Sequence, residues 1–305
     1  MSLSCLKHVK RGENNTRPDA PPHHVFLCGI VDCSGSMYEL ESTSYENLSE
    51  LINQQSELYK EKKIDTDVRI TVFNSEQRTI IGNNKVYGKS IKDIKRLNSE
   101  DFKCSGMTKL YDTVVDNLNI TFEARKSYIK SLPKSVRMLN PKIPIIFIVL
   151  TDGLDNMSKL YTMEYMKNKL LEGKKHHELV DFYLATDGAA IDMAECYGFD
   201  SKRSLSFTPQ KNNCKNAMVG LSKLVRHTTN GIDSQKIQFS HEIRVSSSQT
   251  YGSNKYKNFI KTPIKPRITT QCIFPSPSPN KLKISRNDLF NFKIIPSDEL
   301  DSDEI

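Results

Sequence analysis

Three short segments of the sequence carry side chains that could do chemistry together: Asp32-Cys33-Ser34-Gly35-Ser36, Gly106-Met107-Thr108-Lys109-Leu110-Tyr111-Asp112 and Thr151-Asp152-Gly153. Their candidate donors are the carboxylates of Asp32 and Asp152 and the hydroxyls of Ser34, Ser36 and Thr108. An all-oxygen set is hard, so it suits Mg2+ or Mn2+ and not zinc. Alternate residues of the first segment can aim at one point, and Gly35 allows the chain to turn sharply there. Two carboxylates formally balance a dication. Acting partly through water, they would leave the ion electrophilic enough to take a carboxylate from outside. Each segment alone has a plainer reading. Asp and Ser commonly satisfy free N–H groups at helix starts and turns, Thr108 could cap the helix that follows it, and Asp-Gly is an ordinary turn.

The elements around these segments decide whether they can meet. Val25–Val31 is a continuous apolar run, as is Pro144–Leu150, the pattern of strands buried on both faces. Each delivers an aspartate directly after it. Helical spacing recurs over Tyr45–Lys62 and Leu110–Ser131, and again at about 159–173, 189–197 and 213–229. Val68–Phe73, Arg78–Val86, Leu179–Ala185 and Leu205–Phe207 read as further strands. Strands alternating with helices imply βαβ units, hence an α/β fold with a doubly wound, mostly parallel, Rossmann-like sheet flanked by helices. In such sheets ligands bind beyond the carboxyl ends of the strands, where the strand order reverses.

With these residues in place, the sequence resembles the von Willebrand factor A (vWA) family over about residues 24–229. The family's metal-ion-dependent adhesion site is an Asp-x-Ser-x-Ser loop with a distant Thr and a distant Asp. Asp32, Ser34 and Ser36 match the loop, Thr108 the second element and Asp152 the third. The stretches Thr-Asp-Gly-Leu-Asp-Asn (151–156) and Ala-Thr-Asp-Gly-Ala-Ala (185–190) are similar to the stand-alone intracellular members of microbes and viruses. The resemblance implies serines that ligate directly and aspartates that act through water. It also implies a non-enzymatic, divalent-cation-dependent module that binds a protein presenting an Asp or Glu carboxylate.

The rest of the chain sets limits. It has 305 residues with a formal charge of +8. The basic excess lies in 231–295, with 11 Lys or Arg against 3 Asp or Glu, and the last ten residues add five acids. That pattern solvates a tail more readily than it reads nucleic acid. The expected organisation is a flexible arm at 1–23, a vWA domain at 24–230 and a largely disordered basic tail with an acidic end at 231–305, broken by Pro275-Ser276-Pro277-Ser278-Pro279. Seven scattered cysteines without a Cys-x-x-Cys pair argue against a zinc ribbon or a secreted disulfide framework. There is no apolar leader and no apolar run near the ~20 residues of a membrane span, so a cytoplasmic protein is expected.

Other motifs recede. Gly82–Ser90 imitates a phosphate-binding loop but has five residues between its glycines where four are required. No Gly-x-Ser-x-Gly nucleophile elbow exists, and no motif places a histidine as a base. Asp155 is expected to cap the next helix, Asp187 to be structural, and His176-His177 to lie on solvated surface. Two alternatives remain at this point. One is a scaffold with a structural metal site that binds through its tail; the other is a metal-assisted hydrolase.

Overall fold

A computed structural model describes residues 22–248, apart from 84–86, 95–96, 153 and 187, and apart from the side chains of 188–192. Seven strands form one sheet: β1 (Val25–Asp32), β2 (Thr66–Phe73), β3 (Gln77–Ile81), β4 (Lys89–Ser90), β5 (Ile145–Thr151), β6 (Leu179–Ala185) and β7 (Ser204–Ser206). The order is β3-β2-β1-β5-β6-β7, with β4 also pairing β2. β3 and β4 run antiparallel to β2, and all other pairings are parallel. The helices are α1 (Glu41–Lys62), α2 (Leu110–Ser131), α3 (Lys134–Arg137), α4 (Met163–His176), α5 (Gly188–Tyr197), α6 (Lys211–Thr229) and α7 (His241–Ser248). This is the mostly parallel α/β sheet flanked by helices that the strand–helix alternation predicts.

The apolar runs form central strands because both their faces are covered. Along β1, Val25, Leu27 and Val31 join a cluster with Leu48, Leu51 and Ile52 of α1 and Leu221 and Val225 of α6. Phe26, Cys28 and Ile30 join the opposite cluster with Val114, Leu118 and Phe122 of α2 and Met166 and Leu170 of α4. β5 divides the same way, Ile146, Ile148 and Leu150 against Ile145, Phe147 and Val149. The period of two in the strand sends successive side chains to opposite faces, so an unbroken apolar run is what a two-sided core requires. The order reverses at β1: the chain winds outward to β2, then returns beside β1 as β5 and winds the other way.

Three features differ from expectation. The fold does not end at 230. Ile237 and Phe239 are buried in the first cluster, and α7 packs on α6. Gly220 makes that approach possible, since a Cβ there would lie 2.6 Å from Ile243 Cγ2. Arg244 fixes the helix end by donating to the carbonyls of Ser201, Lys202 and Ser204. Of the tail expected at 231–305 and the arm expected at 1–23, residues 249–305 and 1–21 lie outside the described residues. β3 stops at Ile81, short of the expected Val86. His177 is half-buried and stacked on Phe122 (ring centroids 4.2 Å apart), not solvated, whereas His176 is exposed. Among the described residues no helix is long and apolar enough to cross a membrane.

Candidate metal centre

The carboxyl ends of β1 and β5 lie side by side, Val31 paired with Leu150, so Asp32 and Thr151-Asp152 emerge at one edge. Asp32 closes β1 and is almost fully buried. One of its oxygens accepts the Ser34 N–H (2.7 Å) and the other accepts the Thr151 hydroxyl (2.6 Å). The Ser34 and Ser36 hydroxyls lie 3.2 Å apart, and Ser36 Oγ donates to Asp152 Oδ1 (3.0 Å). Asp32, Ser34, Ser36 and Asp152 thus share one polar chain that closes between two strands.

The loop geometry follows from backbone bonds. Cys33 N–H donates to Phe73 O (2.7 Å), Ser105 N–H to Cys33 O (2.8 Å) and Gly35 N–H to Gly106 O (3.0 Å). The Asp-x-Ser-x-Ser loop is therefore laced to the segment that leads into Thr108. Gly106 adopts φ +76, and a Cβ there would meet Ser75 Oγ at 2.8 Å, so the position requires glycine. Thr108 is buried. Its N–H donates to Asn156 Oδ1 (2.8 Å) and its carbonyl accepts from Asn156 and Met157 (3.0 and 3.1 Å), which ties it to the loop after Asp152.

The plainer roles of these residues are only partly used. Ser34 begins the 3-10 turn Gly35–Leu40, and Thr108 precedes α2, but neither hydroxyl caps a helix there. Asp155 performs that task for α2: its Oδ1 accepts the N–H groups of Leu110 (2.8 Å) and Tyr111 (3.2 Å). The sequence had suggested a cap for the following helix, yet α4 is capped by Thr162. Asp112, inside the second motif, has a role the sequence reading missed. Fully buried, it accepts the N–H groups of Lys159, Leu160 and Tyr161 and pairs with Lys109 (3.5 Å). Burial pushes its carboxyl up, but those three backbone donors and Lys109 together hold it below the usual carboxylate range. Its place in the motif was the available signal. Asp187 lies outside the described residues.

The electrostatics of the centre are one-sided. Burial is the main cause that raises Asp32, to about 6, against the hydrogen bonds of Thr151 and Ser34 and with Asp152 adding repulsion. Burial likewise raises Asp152, opposed by Ser36. Among the described residues no Lys, Arg or His pairs with either carboxylate, and no group of three or more His, Cys, Asp or Glu could hold a metal. A cation here would lean on hydroxyls as much as on carboxylates. The donors present fit a hard dication: all are oxygens, and among the described residues no base balances the two carboxylates.

Beside this centre Cys33 and Cys104 pack into one apolar cluster, and the Cys104 thiol donates to the Phe102 carbonyl (3.4 Å). The neighbouring Cys104 first, then burial and the nearby Asp32 and Glu41, raise the Cys33 thiol above its usual range. The phosphate-loop imitation at Gly82–Ser90 is used otherwise. Buried Arg69 donates to the carbonyls of Asn83 (3.0 Å) and Tyr87 (2.9 Å), so those loop residues turn oxygens, not N–H groups, toward the interior. A phosphate cradle needs the opposite polarity.

No protein-family model matches the sequence, and no curated protein matches it. Among solved structures the chain is similar to proximal thread matrix protein 1 from the mussel byssus, with 13% identity and a TM-score of 0.40 over 68% of this chain and 47% of that one. It is similar to the same protein described with a zinc occupied MIDAS motif, with 14% identity, a TM-score of 0.40 and coverage of 68% and 47%. A von Willebrand factor type A structure from Catenulispora acidiphila gives 12% identity, a TM-score of 0.41 and coverage of 69% and 43%. The chain spans less than half the length of each of these chains.

Proposed function

We propose that this chain is a vWA-type domain of the stand-alone kind that holds one Mg2+ or Mn2+ through Asp32, Ser34, Ser36, Thr108 and Asp152. We propose further that it binds, without catalysis, a protein partner presenting an Asp or Glu carboxylate. One observation carries this reading. One buried carboxylate, Asp32, and one partly exposed carboxylate, Asp152, converge with two serine hydroxyls at the switch point of the sheet, and no basic side chain among the described residues balances them. A buried carboxylate facing a second acid with no base is costly unless a cation enters.

When bound, the ion would supply a positive centre able to accept a further oxygen ligand. The chain's own residues would do the positioning. Thr151 holds one oxygen of Asp32, and the Ser34 amide meets the other. Ser36 links the loop to Asp152. The surroundings favour a protein partner over a small anion. Tyr38 (73% exposed) lies two residues after Ser36, Met107 (46%) directly before Thr108 and Leu154 (54%) two residues after Asp152. Exposed apolar side chains beside a charged centre offer contact area for a macromolecular surface.

Calorimetry of Mg2+, Mn2+ and Zn2+ into the full chain, compared with Asp32→Ala, tests the ion. Heat with one site per chain in the wild type and none in the variant is the expected result. Equal heats in both would overturn the site. Partner capture with and without a chelator then tests the interaction, using a chain truncated after Ser248. The cut belongs there because α7 is part of the fold. Capture that survives truncation and is lost with chelator supports the metal-dependent reading. Capture lost on truncation alone supports a scaffold acting through its tail.

A further inference from the structure

The edge of the sheet opposite the metal centre carries a projecting turn. α2 starts just after Thr108 and runs 22 residues, about 33 Å at 1.5 Å per residue. Its far end and the turn that leads into β5 therefore lie at the amino ends of the central strands. Met138 and Leu139, consecutive on that turn, are 75% and 77% exposed. An ordered backbone holds them outward. The N–H groups of Val136 and Arg137 donate to Pro133 O, that of Met138 to Lys134 O and that of Leu139 to Val136 O, all at 3.0 Å. Asn140 N–H donates to Arg137 O (3.1 Å), and Asn140 reverses the chain at φ 47. Val136 packs inward on the core cluster that contains Val114 and Leu118.

The charge around these two apolar side chains has one sign. From Ala124 to Thr151 the sequence has six Lys or Arg and no Asp or Glu. Arg125 pairs with Glu178, Lys126 with Glu123, and Lys142 donates to Gly231 O (2.6 Å). Lys130, Lys134 and Arg137 are exposed and meet no acid among the described residues. Acids of the same edge are engaged elsewhere, Asp65 with Lys92 and Asp67 with His24. We propose that this turn docks the protein on an anionic lipid surface. Met138 and Leu139 enter the boundary between headgroups and acyl chains, while Lys130, Lys134 and Arg137 meet the anionic headgroups.

Two features favour a bilayer over an acidic protein. Two adjacent side chains on a projecting turn cover far less than the ~1,000 Å2 of a specific protein interface, whereas an interfacial lipid contact needs only about 5–10 Å of depth. Every N–H from Val136 to Asn140 is already paired within the turn, and Pro141 has none. Entry into the headgroup region therefore strips water from few unpaired backbone groups. The contact is peripheral, since no helix among the described residues can span a membrane. Docked this way, the length of α2 separates the lipid from the metal centre, which faces the opposite direction. The lipid contact does not depend on the ion.

The chain has no tryptophan, so Leu139→Trp places a single fluorescent reporter at the tip of the turn. The full chain carrying it is titrated with vesicles of phosphatidylcholine, alone or with phosphatidylserine added, with and without chelator. The expected result is a blue shift with the anionic vesicles only, the same in chelator. Val219→Trp, at a position 55% exposed on α6, should not shift. In vesicle sedimentation, Lys134→Gln with Arg137→Gln should weaken binding about 25-fold, at about fivefold per base. Met138→Ser with Leu139→Ser should weaken it at least about tenfold. All four side chains are exposed, so these variants leave the core intact. Vesicle binding with no shift at Leu139→Trp would assign the contact to another part of the chain, such as the basic 231–295, and overturn the proposal. An equal shift at Val219→Trp would overturn it as unspecific adsorption. A shift with soluble polyglutamate but none with anionic vesicles would overturn it in favour of an acidic protein partner.

Discussion

Asp32 and Asp181 are both buried carboxylates on parallel strands of the same sheet, and the protein treats them in opposite ways. Asp181, on β6, is fully enclosed, yet it meets Arg203 (3.0 Å), Lys174 (3.1 Å) and the Asp200 N–H (2.8 Å). Its charge is balanced from within. Asp32, at the end of β1, receives one hydroxyl and one amide and faces a second carboxylate instead of a base. Burying a charge without a partner is expensive, and a fold keeps such a group only if something else repays it. The difference separates a carboxylate neutralised by its own neighbours from one that the proposed ion would have to balance.

The comparison would break most visibly at Asp181. Asp181→Ala leaves Arg203 and Lys174 without their common acid, and denaturant melts should show a loss of about 3–5 kcal/mol that no cation restores. A stability within error of wild type would mean that the ion cluster holds nothing. Asp32→Asn should behave in reverse, with little loss without added metal. Saturating Mg2+, at about 100 times its dissociation constant, should stabilise the wild type by about 2.7 kcal/mol and leave this variant unmoved. Equal Mg2+-dependent shifts in both proteins would show that the two aspartates do not differ in kind.

The smallest expected effect refines the comparison with a third buried acid. Asp112 leans on three backbone donors and one lysine where Asp181 leans on two bases and one backbone donor. Its folded-state affinity for protons is depressed, so its contribution is present above the pKa of the unfolded chain and is lost as pH falls through the lower folded value. Asp112→Asn should remove part of that acid-side dependence and cost about 1–3 kcal/mol near neutrality, because three N–H groups lose their charged acceptor. An acid-side slope identical to wild type would assign that stability to other carboxylates.

What could be read from the sequence divides along the same physical line. Leu110–Ser131 and Leu179–Ala185 were legible to their ends because hydrophobic period reports burial directly. The aspartates after β1 and β5 were legible because buried apolar runs imply where their carboxyl ends must lie. Asp155 and Asp112 resisted because their partners sit 44 to 49 residues away in the chain, and no local pattern encodes which N–H groups a carboxylate will meet. α7 resisted for a related reason. Its sequence, His-Glu-Ile-Arg-Val-Ser-Ser-Ser, has little intrinsic claim to a helix, and its place depends on the room left at Gly220.

The link between Thr151 and Asp32 spans 119 positions, and that between Ser36 and Asp152 spans 116. Loop closure over such separations comes late, because the entropy of bringing distant segments together must be met before their contacts help. During synthesis the first half of the centre emerges long before the strand that completes it. A pulse of Mn2+ given to stalled nascent chains would find no site until β5 has docked beside β1. Cation uptake would then serve as a clock for the completion of the sheet, reporting the moment at which its two halves first become one protein.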